Sequence, residues 1–149
     1  MPEENGRHVL QGRCHCKGIG IEFTTAKDPA SFHPRACDCS FCCKHGAAWL
    51  SDPDGRLVFT EHRADVFHEY RQGSESARFL LCGRCGVCVG VVYEEGSQHF
   101  AAVNARCLDD RAEFGDSVAV SPQTLGADEK IARWKSVWVA DVALRRVRG

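Results

Sequence analysis

Ten cysteines stand in this chain of 149 residues, and they are bunched rather than scattered. Four fall within one short stretch, Cys37-Asp38-Cys39-Ser40-Phe41-Cys42-Cys43. Two more clusters flank it, Cys14-His15-Cys16 upstream and Cys82-Gly83-Arg84-Cys85 downstream. Thiolate–metal chemistry or redox chemistry is what gives such density a use. The arrangement predicts that the outer clusters join into one closed metal site and that the central cluster forms a second, open one. Any fold for this chain has to position these three stretches.

Compartment bears on which chemistry applies. The N-terminus, Met1-Pro-Glu-Glu-Asn-Gly, is acidic and has no apolar run of the kind a secretory signal needs. The expectation is therefore a reducing, cytoplasmic setting, where a disulfide framework is disfavoured and metal binding is favoured. Net charge is −1 (19 basic against 20 acidic residues), which makes no electrostatic case for nucleic acid or an anionic membrane as partner. The apolar runs are far too short to span a bilayer. A chain of this length is expected to form one domain with a real core. Residues 1–8 read as a disordered leader and 9–149 as a single domain.

Apolar–polar alternation with β-branched enrichment predicts strands over Ile19–Thr24, Leu57–Thr60 and Val66–Arg71. Gly46–Leu50 predicts a short strand leaving the central cluster, and Ala77–Leu81 a strand running into the third one. Val87–Tyr93 is a largely apolar run that predicts a buried strand, and His99–Asn104 pairs back on it. Asp28-Pro29 and His33-Pro34 mark a loop, Asp52-Pro53-Asp54-Gly55 a tight turn, and residues 72–76 and 94–97 further turns. No helical period is sustained before about residue 105. Near the C-terminus, Asp128 could cap a helix through Ile131 and Trp134, while Ser136–Ala140 suits a strand equally well. Arg145, Arg146 and Arg148 read as a solvated tail. The fold class is thus mainly β, with short or no helices except near the C-terminus.

Cys82-x-x-Cys85-Gly86 has the form of a metal knuckle. Two thiolates at this spacing bite one ion, and the glycine allows the left-handed turn that follows. Structural zinc takes four ligands, so the pair needs two more, and Cys14 and Cys16 are the best spare pair. Closing a loop that long costs little extra per residue, and structural zinc contributes roughly 10–16 kcal/mol of apparent binding energy. Arg13, Lys17 and Arg84 stand beside these ligands and can soften a formal charge of about −2 on a four-thiolate zinc. Their ordinary reading is surface solubility. His15, between two ligands, either joins the metal or points away.

Cys37, Cys39 and Cys42 supply three thiolates from one loop, and three protein ligands leave a tetrahedral zinc one open position. Cys43 is a rival for the place of Cys42, which the spacing favours. Ser40, Lys44 and His45 are near enough to assist as hydrogen-bond donors or proton carriers, against the plainer reading of surface turn residues. Cys88 reads as a small buried core residue. Cys107, beside Arg106, reads either as buried and inert or as a thiol of lowered pKa.

On these residues the chain resembles the glutathione-dependent formaldehyde-activating family, which includes centromere protein V. The resemblance rests on Gly12-Arg13-Cys14-His15-Cys16, Cys37-Asp38-Cys39-Ser40-Phe41-Cys42, Phe79-Leu80-Leu81-Cys82-Gly83-Arg84-Cys85-Gly86 and Val103-Asn104-Ala105-Arg106-Cys107, and covers about residues 9–110. It implies a β fold of several twisted antiparallel sheets around a zinc site (a β-tent), shared with methionine sulfoxide reductase B. It implies that Cys14, Cys16, Cys82 and Cys85 hold a structural zinc and that Cys37, Cys39 and Cys42 hold a catalytic one. The activity it implies is addition of the glutathione thiol to formaldehyde, a carbon–sulfur lyase reaction. The chain departs from the family pattern at Cys43, where arginine is common, and at Cys88.

Three functions follow as expectations. The first is a zinc-dependent carbon–sulfur lyase-like enzyme acting on a thiol–aldehyde adduct, with glutathione or a similar small thiol and a small aldehyde as partners. The second is a non-catalytic zinc module for protein interaction, its second site closed by Cys43 or a neighbour. The third is a thiol redox enzyme of the methionine sulfoxide reductase B type, with Cys107 as nucleophile.

Overall fold

The computed structural model describes residues 3–4, 7–71, 76–109, 113–121 and 124–147. Twelve strands are assigned among them: β1 Glu3–Glu4, β2 Arg7–Arg13, β3 Ile19–Thr25, β4 Arg35–Cys37, β5 Trp49–Leu50, β6 Arg56–Glu61, β7 Phe67–Tyr70, β8 Arg78–Cys82, β9 Cys88–Glu95, β10 Gln98–Asn104, β11 Val118–Val120 and β12 Asp141–Arg145. Two α-helices join them, α1 Ser40–His45 and α2 Ala127–Val137. The strands form a five-stranded sheet in the order β1-β2-β3-β6-β12 and a seven-stranded sheet in the order β11-β4-β5-β10-β9-β8-β7.

Period-2 patterning fixes which way each strand faces. In β3 Ile19, Ile21 and Phe23 are buried while the residues between them are half-exposed, so the apolar set lines one face. That face meets Leu10, Leu57 and Phe59 of the same sheet and Leu80, Val89, Val92, Ala101 and Val103 of the larger one. The alternate residues of the larger sheet, Phe79, Cys88, Val91, Phe100 and Ala102, point to its other face. There they pack with Trp49, Trp138, Cys39 and Cys42, beneath α1 and the end of α2. The larger sheet is therefore buried on both sides, which explains why β9 reads as a continuous apolar run rather than an alternating one.

Gly12 of β2 is bridged to Leu108, which follows β10 by one short turn. A Cβ at residue 12 would overlap the Cys107 carbonyl oxygen, so the sequence needs glycine two residues before its first cysteine.

Most strand pairs are antiparallel, as expected, but two are parallel: β4 with β11 and β6 with β12. Structure also begins earlier than the expected leader. Glu3–Glu4 pairs with Arg7 and His8, the latter two already within β2. The expected tail is corrected as well. Arg145 closes β12 opposite Thr60, the Arg146 guanidinium sits 5.1 Å from the Phe67 ring centroid, and the Val147 N–H donates to Glu61 Oε1. Arg148 and the turn expected at residues 72–76, except for Ser76, lie outside the described residues.

Of the two readings near the C-terminus, the helix extends through Val137, after which Val139 bridges Ala101 through a pair of backbone hydrogen bonds. The cap is Gly126, whose N–H donates to Glu129 Oε1, and Asp128 lies inside the first turn. An acidic first turn there opposes the helix's positive N-terminal end. No helix among the described residues is long and apolar enough to cross a membrane.

Candidate metal centres

The first cluster joins the ends of distant strands. The turn between β2 and β3 delivers Cys14 and Cys16, while Cys82 ends β8 and Cys85 lies in the turn that follows. One sulfur atom from each lies within 4.8 Å of all the others. Cys14 Sγ is 3.7 Å from Cys16 Sγ, which is 3.5 Å from Cys82 Sγ. A tetrahedral zinc with Zn–S bonds of about 2.3 Å places its sulfurs about 3.8 Å apart, so the donors suit such an ion in kind and spacing.

Backbone N–H groups aim at the sulfurs from both knuckles. Ile19 donates to Cys14 Sγ at 3.3 Å, and Arg84 and Cys85 donate to Cys82 Sγ at 3.4 Å. These donors favour thiolate over thiol. Gly86 takes φ +82° as its N–H returns to the Cys82 carbonyl, the left-handed turn expected after this motif. On the other knuckle Lys17, not Gly18, takes the left-handed conformation, at φ 68°. Cys14 and Cys82 are fully buried in the inter-sheet core, and burial pushes the Cys14 thiol up to about 12. At Cys85 burial is outweighed by hydrogen bonds from the Val87 and Cys16 backbone and the neighbouring thiols, holding it at about 6. His15 is exposed and stands outside the cluster, settling the choice left open for it. Arg13 pairs with Asp109 at 2.7 Å.

The second cluster lies on the opposite face of the larger sheet. The sulfurs of Cys37, Cys39 and Cys42 also converge within 4.8 Å of one another. Cys37 ends β4, Cys39 is the N-cap of α1, and Cys42 lies in the first turn of that helix, its N–H donating to Cys39 Sγ. The expected loop is thus a strand, a cap and a six-residue helix. That helix ends at Gly46 in the left-handed conformation, with Lys44 and His45 at its negative end. Cys43 faces the other way. It is exposed and its Sγ approaches only the Cys37 carbonyl, at 3.9 Å, so it neither replaces Cys42 nor joins the group.

The three thiols of the second cluster are unequal. Hydrogen bonding from the Cys42 thiol, then from Cys39, holds Cys37 down at about 6 against its partial burial. The same contact pushes Cys42 up, reinforced by burial, although the Trp49 side chain lies within hydrogen-bonding reach of its sulfur and opposes this. Cys39 and Cys42 are buried and Cys37 is only half-buried as a residue. Phe41 covers α1's flank between His45, Tyr70 and Phe79. Ser40, Lys44 and His45 are exposed, and His45 is spent on the Phe41 ring rather than on the sulfurs.

Arg35 escaped the sequence reading. It lies two residues before Cys37 on β4, directly opposite Trp49, so the three side chains share one face. Its Nη2 donates to Ser51 Oγ at 2.8 Å, and Ser51 donates in turn to the Val137 carbonyl at the end of α2. Burial, then the charge of Arg133, lowers the Arg35 guanidinium to about 10, which leaves it cationic at neutral pH.

Cys88 is buried, its thiol pushed up to about 12 by burial. Cys107 is likewise buried and pushed up by burial to about 11, and Arg106 spends its Nε–H on the Gly46 carbonyl instead of lowering it. A nucleophilic role for Cys107 therefore has no electrostatic support. Asn104 holds this region together by donating to the Cys88 carbonyl and accepting from Arg106 N and Ala48 N. Two surface depressions, of about 290 and 410 Å³, are lined by other residues and include none of the seven clustered cysteines.

Fold and clusters together define a mainly β protein with two thiol sites able to hold metal ions. The chain belongs to the glutathione-dependent formaldehyde-activating enzyme family, whose model matches residues 9–123. Among solved structures, a crystal structure of a Rhodobacter sphaeroides protein is similar, with a TM-score of 0.52 and 24% identity, covering 90% of this chain and 98% of that one. At that identity the likeness speaks for the fold alone. No curated protein matches the chain.

Proposed function

We propose that this protein is a zinc-dependent enzyme joining the glutathione thiol to formaldehyde, with the physiological chemistry of a carbon–sulfur lyase. In this reading Cys14, Cys16, Cys82 and Cys85 hold a structural zinc, and Cys37, Cys39 and Cys42 hold the zinc of the active site. The domain spans residues 9–149 together with the strand residues before them, Glu3–Glu4 and Arg7–His8, and works in the reducing cytoplasm. The observation that carries the reading is that three thiols converge while the fourth nearby, Cys43, turns away. Three ligands leave one coordination position for a substrate, and four would close it.

In the reaction the thiol sulfur attacks the carbonyl carbon. A C–S bond forms, the C=O π pair moves to oxygen, and the proton lost by the thiol ends on that oxygen, giving S-hydroxymethylglutathione. Zinc bound by the trio would supply a Lewis acid able to lower a thiol pKa or polarise the aldehyde oxygen. The protein's own residues supply the rest. Cys37 is the least buried residue of the trio, and Cys39 and Cys42 are anchored by the α1 cap. Trp49, Phe79 and Phe41 give the site an apolar, water-poor flank, where electrostatic effects on a developing charge are strengthened. Holding two small reactants side by side removes much of the entropic barrier to joining them.

The test pairs a metal count with turnover. Wild-type protein should carry two zinc ions per chain and accelerate adduct formation from glutathione and ¹³C-formaldehyde followed by NMR. Cys39→Ser should carry one and lose the acceleration. Native protein holding a single zinc, or Cys39→Ser retaining full rate, would refute the reading.

A further inference from the structure

The Arg35 guanidinium is half-buried, yet no carboxylate among the described residues pairs with it. Its one hydrogen-bond partner is the neutral Ser51 hydroxyl, and its strongest charged neighbour is another cation, Arg133. Burying a cation beside a like charge is costly, and proteins ordinarily supply a counter-ion at such a place. Elsewhere this chain does so: Arg78 reaches Glu69 and Glu94, Arg13 reaches Asp109, and Arg56 reaches Asp141.

The position of the unpaired charge is informative. Arg35 and Cys37 lie on the same face of β4, two residues apart, which in a strand is about 7 Å. Arg133 lies one helical turn before Val137, whose side chain packs on the cluster that includes Trp49 and Cys37, so the two share the face of α2 that meets this sheet. Cys37, the trio member on the same face of β4 as Arg35, is only half-buried as a residue. A guanidinium with free N–H groups suits bidentate recognition of a carboxylate, and a second cation nearby strengthens the attraction.

We propose that Arg35 and Arg133 form a carboxylate-binding subsite that anchors an acidic thiol substrate while its sulfur reaches the cluster of Cys37, Cys39 and Cys42. This rests on the reading of the trio as a thiol-accepting site and extends it to substrate choice. The subsite selects thiols carrying a carboxylate a few bonds from sulfur, as in the tripeptide glutathione, over neutral thiols. The missing counter-ion of Arg35 is then the substrate itself.

Binding to the zinc-loaded full chain can be measured calorimetrically with four probes: glutathione, its diethyl ester, S-methylglutathione and 2-mercaptoethanol. Glutathione should bind about tenfold or more tightly than the diethyl ester. Arg133→Gln, at an exposed helix position, and Arg35→Gln should each reduce that preference several-fold without changing 2-mercaptoethanol affinity. Arg133→Lys should restore part of it, and melting temperatures serve as the folding control. A wild-type protein that does not distinguish glutathione from its diester, or a preference surviving in both Gln variants, overturns the subsite. Thiol binding that is blind to charge would overturn it while leaving the proposed function standing. Arginine-dependent binding of S-methylglutathione, with no extra affinity from a free thiol, would support the subsite and sink the thiol-accepting role of the trio.

Discussion

The two thiol clusters use the same side chain in opposite ways. One gathers four cysteines from two distant segments, sinks Cys14 and Cys82 into the core between the sheets, and surrounds the sulfurs with backbone N–H donors. The other takes three cysteines from one short stretch, sets them on the outer face of the larger sheet, and leaves Cys37 half-exposed beneath an aromatic flank. A cluster that ties remote strands together acts on folding. One that ties only its own loop adds little cross-linking and keeps a coordination corner for chemistry.

The largest effect should come from breaking the remote cluster. Cys82→Ser should leave little folded protein at 25 °C, because the loss approaches the roughly 10–16 kcal/mol a structural zinc contributes, against the roughly 5–15 kcal/mol that stabilises a whole domain. Circular dichroism melts and soluble yield would show it, and a variant melting within a few degrees of wild type would erase the contrast. Removing Cys39 from the local trio should instead cost about 1–3 kcal/mol, the usual range for a buried point change, while turnover falls at least a hundredfold.

A pH experiment on protein whose trio is empty and whose four-cysteine site stays loaded sharpens the contrast. Cys37 and Cys85 are held down at about 6, whereas burial raises Cys88 to about 12 and Cys107 to about 11. Iodoacetamide labelling read by mass spectrometry should therefore rise near pH 6 at Cys37, with Cys88 and Cys107 silent at neutral pH. The sign for stability follows. A thiol with a folded pKa below its unfolded value stabilises the fold fully above about pH 9, and that contribution is lost as pH falls through about 6. Acidification of protein with an empty trio and a loaded four-cysteine site, from pH 9 to pH 6, should lower its melting temperature.

Smaller effects mark the cysteines that belong to neither cluster. Cys107→Ser should leave adduct turnover unchanged and shift stability by about 1 kcal/mol, and an inactive variant would restore the redox reading. Cys43→Ser should change stability by no more than about 0.5 kcal/mol and leave the zinc count untouched, because its sulfur is exposed and outside the trio.

The sequence reading reached furthest where residue spacing carries chemistry or a period. The seven clustered cysteines and β3, β6 and β9 were legible because a knuckle motif, alternation or a continuous apolar run is local information. Helix α1 was hidden because six residues are too few to display a 3.6-residue period. The parallel pairing of β12 with β6 depends on which edge the chain returns to after α2, and its five residues carry no mark of it. Lys17 in a left-handed turn was masked by Gly18, the residue that chemistry would nominate first. Arg35 and Arg133 are unremarkable as letters, and become informative only when the fold places two cations together without an acid.

The close approach of Gly12 to the Cys107–Leu108 backbone reaches beyond the strand in which it lies. A single added methyl there would act as a wedge, and its thrust would fall on the segment carrying Cys107. Cys14 follows two residues later, so the tolerance of position 12 is set less by strand propensity than by the four-sulfur cluster that Cys14 joins.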